Sequence, residues 1–111
     1  MRHEAFWLTA RDTTEFHVNS WCPANPQAAV LLVHGMAEHS LRYSQLGKFL
    51  AQRDIALYAL DLRGHGFTAH FGTLGHFSDL NGWQSTLEDI RCLNHHIRQQ
   101  HPNTPIFMLG H

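Results

Sequence analysis

Three short apolar runs leave this chain few folds to choose from: AAVLLV beginning at Ala28, IALYAL beginning at Ile55, and PIFMLG beginning at Pro105. None alternates apolar with polar residues, as a strand with one wet face does. Each is too short for a buried helix, so each suits a strand covered on both faces of a parallel sheet. Parallel neighbours need a crossover, and the intervening segments supply helical patterns. Tyr43, Leu46, Phe49 and Leu50 recur at helical spacing, with Gln45, Lys48 and Gln52 off that face, over about Ser40 to Arg53. Trp83, Leu87, Ile90, Leu93 and Ile97 form a second stripe over about Asn81 to Gln100, ended by Pro102.

Ahead of these, EAFWLTA and EFHVNSWC read as two strands joined at Arg11-Asp12, an opening antiparallel hairpin. The second run ends at Asp61, and Leu62 to Ser78, rich in Gly and His, reads as a long loop. The order hairpin, strand, helix, strand, helix, strand predicts an α/β fold with a mostly parallel sheet.

Charge excludes some partners. Eight Lys and Arg against nine Asp and Glu give a formal net charge of -1, with no basic run, so nucleic acid is not an expected partner. No segment approaches the roughly 18 apolar residues that a membrane span requires. Cys22 and Cys92 are too few and too far apart for a disulfide framework or a metal pair, which points to reduced thiols and a cytoplasmic protein. The eleven histidines lack metal-ligand spacing: there is no HExxH, and the adjacent His95 and His96 point about 100° apart on a helix. No metal and no cofactor is expected. Protonating all eleven would add eleven positive charges to a formal -1, so poor behaviour is expected near pH 5.

Chemistry concentrates after the apolar runs, where open α/β sheets build their sites. The first run continues into HGMAEHSLRY (His34 to Tyr43), the second into DLRGHGFT (Asp61 to Thr68), and the third into Leu109-Gly110-His111. Together these resemble the α/β-hydrolase family, in its monoacylglycerol lipase and lysophospholipase branch, where strands end in HGxxEHxxRY, DxRGHGxS and the nucleophile elbow G-H-S-x-G. Thr68 stands where that pattern has Ser. The resemblance runs from about Ala28 onward and implies that residues 1–111 are the N-terminal part of one α/β-hydrolase domain, cut within the elbow.

On that resemblance the nucleophilic serine follows His111, with the acid and the histidine of the triad further on, so no residue of this chain is catalytic. The backbone N–H of Met36, with Gly35, is implied as half of an oxyanion hole; as plain loop residues they would have no role. His34 is better placed to orient that turn than to act as a base. Glu38, His39 and Arg42 could meet a head group, although residues opening a helix more often cap it or pair with one another. Asp61 and Arg63 are expected to form an ion pair fixing the second loop. Gly64, His65 and Gly66 support the site from beneath, and Gly110 and His111 shape the elbow.

The implied function is hydrolysis of a small lipid or ester, a monoacylglycerol or lysophospholipid, through an acyl-enzyme. Any membrane contact would be transient and made through a cap outside this chain. Aminopeptidase, epoxide hydrolase and dehalogenase chemistry remain open within the fold, although Ala37 stands where the last two usually carry proline. A non-catalytic remnant acting as a binding module is the reading from outside enzymology.

Overall fold

The computed structural model describes residues 1–11, 13–33, 40–61 and 82–110. They form a mixed sheet of five strands: β1 (Arg2–Thr9), β2 (Glu15–Cys22), β3 (Ala28–Val33), β4 (Ile55–Leu60) and β5 (Ile106–Gly110), in the spatial order β1-β2-β4-β3-β5. β1 and β2 are the expected antiparallel hairpin, and β2 runs antiparallel to β4. β3 is parallel to both β4 and β5. A 3-10 turn (Ser40–Tyr43) leads into α1 (Ser44–Ala51), and α2 spans Gly82–Gln100.

The two helices cover opposite faces. Against one face, Tyr43, Leu46 and Leu50 pack on Trp21, Leu32, Leu57 and Ala59. On the other, Leu93 and Ile97 join Phe16, Val18, Leu31, Tyr58 and Leu60. Neighbouring residues such as Leu31 and Leu32 therefore enter different cores, as the period of two in a strand requires. This is why β3 and β4 read as unbroken apolar runs.

Both helical stripes depart from the expected ones. Phe49 is 50% exposed, and the Arg53 guanidinium lies 3.7 Å from its ring centroid. The buried line of α1 runs through Gly47 and Ala51 instead, because Gly47 sits directly on the Trp21 ring and draws the helix towards that side. The helix is also shorter than expected. It stops at Ala51, and Asp54 turns into the left-handed region (φ 61), accepting a hydrogen bond from the Gln27 N–H at 2.7 Å. In α2, Leu87 is 43% exposed while Thr86 and Asp89 are buried, so the stripe is rotated towards polar side chains that have partners.

At the end of the sheet where β3 and β4 begin, a cavity of about 550 Å³ is lined by residues including Arg2, Cys22, Pro26, Gln100 and His101. The Tyr58 hydroxyl lies 2.8 Å from His101 Nε2, and Cys22 Sγ lies 3.8 Å from the same nitrogen. Cys22 and Cys92 are free thiols, and burial raises the pKa of both. Burial also holds the His101 imidazole below its ordinary pKa. His96 is lowered too, first by burial, with the Glu4 carboxylate opposing and His101 adding to the effect.

A histidine whose folded pKa lies below its unfolded value stabilises the fold fully above the unfolded pKa, near 6.5, and loses that contribution as pH falls through the folded value. The urea midpoint of the full-length protein is therefore expected to be level between pH 8 and 7.5 and lower at pH 5. Equal midpoints at pH 7.5 and 5 would contradict this.

Candidate active site

The C-terminal ends of the three parallel strands lie level with one another. Val33 is opposite Leu60 on one side and Gly110 on the other. With strands about 4.8 Å apart, the exits of β4 and β5 are separated by roughly 10 Å, with that of β3 between them. One residue past this row the chain runs into His34, Asp61 and His111, the starts of the three motif segments or their continuation. The fold thus brings three strand ends that are far apart in sequence to one end of the sheet.

Asp61 is the candidate residue the structure places most fully. It is 1% exposed, and its Oδ2 lies 3.2 Å from Nδ1 of His17, itself 6% exposed. The Asp61 N–H also donates to the His17 carbonyl at 2.8 Å, extending the β2–β4 ladder past the end of β4. Trp7 on β1 meets the His17 ring edge-on, with centroids 5.0 Å apart. The expected partner, Arg63, lies outside the described residues. His17 is the residue that sequence reasoning passed over. Its only signal was a histidine inside a strand, easily read as one facing water.

Arg42 lies in the 3-10 turn, exposed and with a partner. Gly110 closes β5, where a Cβ would meet nothing within 4 Å, so among the described residues no neighbour crowds that position. His34, Gly35, Met36, Glu38, His39, Arg63, Gly64, His65, Gly66 and His111 lie outside the described residues, as does the expected loop from Leu62 to Ser78. Among the described residues, no group of three or more His, Cys, Asp or Glu is arranged to hold a metal ion, and no helix is long and apolar enough to cross a membrane.

The family described as serine aminopeptidase, S33, matches residues 24–111. The chain belongs to that family. Among the family's relatives, it is 37% identical over 92 residues to a monoacylglycerol lipase of Mycolicibacterium smegmatis, a match covering 82% of this chain and 31% of that protein. It is 32% identical over 92 residues to the monoglyceride lipase of Mus musculus, covering 82% of this chain and 29% of the mouse protein. The chain thus spans about a third of the length of these relatives. A thermostable carboxyl esterase from Bacillus coagulans, solved in complex with glycerol, superposes with a TM-score of 0.83 at 26% identity, over 100% of this chain and 36% of that one. A lipase in an open form superposes at 0.87 with 24% identity, over 99% of this chain and 36% of that one, which speaks for the fold alone. This S33 chain has part of an α/β-hydrolase sheet, and its sequence is similar to monoglyceride lipases.

Proposed function

We propose that the full-length protein is a serine hydrolase of carboxylic esters, with monoacylglycerols or lysophospholipids as substrates. The observation that carries this reading is the level row Val33, Leu60 and Gly110, strand ends with which HGMAEH, DLRGHG and GH are contiguous in sequence. Similarity to monoglyceride lipases supports the substrate class.

On this reading the residue after His111 is the nucleophilic serine. It attacks the ester carbonyl, the alcohol leaves, and water releases the acyl group from the enzyme. The Met36 N–H and the N–H following the serine receive the negative charge of the tetrahedral intermediate. Losing one such donor typically lowers the rate by ~10²–10³. Because Met36 would act through its backbone, its side chain is free to line the acyl pocket, while Gly35 lets the turn form. The site reading needs no metal and no cofactor.

The test is turnover of monooleoylglycerol, lysophosphatidylcholine and an amino-acid p-nitroanilide by the purified full-length protein. Release of fatty acid from either lipid, abolished by a fluorophosphonate, is the expected result. Cleavage of the anilide alone would move the protein to aminopeptidase chemistry, in line with the family's description.

A further inference from the structure

A carboxylate as buried as Asp61 is strongly disfavoured unless hydrogen-bonded or paired. His17 meets it twice, through the ring and through the backbone, at 3.2 and 2.8 Å. An ionised carboxylate only accepts, so Nδ1 of His17 carries the hydrogen in this bond, and a charge-assisted bond of this kind is stronger than one between neutral groups. The two residues lie on adjacent antiparallel strands, one step beyond the Val18–Leu60 pair. The exit of β4 is therefore fixed from its β2 side, while β3 fixes it from the other. Packing of Trp7 against the His17 ring holds the imidazole in turn.

We infer that His17 is a positioning residue for the hydrolase: by fixing Asp61 it holds the end of β4 in place beside the ends of β3 and β5. This rests on the ester-hydrolase reading above. His17 touches neither substrate nor nucleophile in this scheme. Its effect passes through Asp61 and falls on the step that needs an aligned site, not on substrate capture.

Two polar substitutions test it in the full-length protein. In His17→Asn the amide nitrogen can take the place of Nδ1, whereas in His17→Gln it reaches towards the position of Nε2. At a temperature where both are folded by circular dichroism, the Gln variant is expected to lose at least tenfold in kcat on monooleoylglycerol with KM within threefold of wild type. The Asn variant is expected to keep at least a third of wild-type kcat. A role in stability alone would lower Tm in both and leave kcat equal, and equal kcat overturns the inference. So would a Gln variant whose loss lies wholly in KM. A wild-type protein that hydrolyses neither lipid, and takes no fluorophosphonate label, removes the ester-hydrolase reading and the inference with it. An active wild type with indifferent variants removes the inference alone.

Discussion

Residues 1–111 produced alone are expected to enter inclusion bodies or large oligomers and to hydrolyse no p-nitrophenyl butyrate above buffer. β5 pairs only with β3 among the described strands, and Phe107, Met108 and Leu109 are 59%, 63% and 45% exposed. Apolar side chains thus face water on a strand whose far edge presents free N–H and C=O groups, the arrangement that templates pairing with another chain. Activity fails for a separate reason, since the proposed nucleophile follows His111. Size-exclusion chromatography of the refolded chain checks the first half, and a monodisperse monomer with a cooperative melt would contradict the edge argument. Ester hydrolysis surviving repurification would contradict the placement of the nucleophile.

Gly47→Ala is expected to be among the most damaging single-methyl changes available in this chain. A Cβ there would stand 2.3 Å from Trp21 Cδ2 and 2.5 Å from Cγ, and Trp21 is fully buried. The indole has little room to yield, because the His3 ring stacks on it with centroids 4.9 Å apart. Relief would require α1 to lift off the sheet and open the core around Leu32 and Leu57. Overpacking of this kind costs up to about 3 kcal/mol, sometimes more. That is a large part of the 5–15 kcal/mol that holds most domains folded, and lowers Tm by roughly 10 °C. The double variant Gly47→Ala, Trp21→Leu should recover part of the loss, because the clash is with the indole itself. A Gly47→Ala protein melting within 2 °C of wild type would show that α1 does not rest on Trp21, as about 0.5 kcal/mol corresponds to such a shift.

What was legible beforehand follows from where the information lies along the chain. β3 and β4 announce themselves because both faces are covered, so six successive residues are apolar, and their order with the two helices leaves one fold class. The rotation of each helix is a tertiary matter. Leu46, Phe49 and Leu50 fit a stripe as well as Leu46, Gly47, Leu50 and Ala51 do, and the choice is made by Trp21, on another element. Thr86 and Asp89 on α2 carry the same lesson, since polar residues with partners displaced Leu87 from the covered face. The motif segments were legible as sequence, and the register of β3, β4 and β5 shows that the strands before them end level. The His17–Asp61 pair was not legible. Forty-four positions separate its members, and only the β2–β4 register brings them together.

The proposed function places a nucleophilic serine next to His111. Labelling the full-length protein with a fluorophosphonate, digesting it, and sequencing the peptide that contains TPIFMLGH by tandem mass spectrometry tests it most directly. The expected adduct is on a serine immediately after His111, followed by any residue and then glycine. An aspartate at that position, a label elsewhere in the protein, or a native chain that ends at His111 would contradict it.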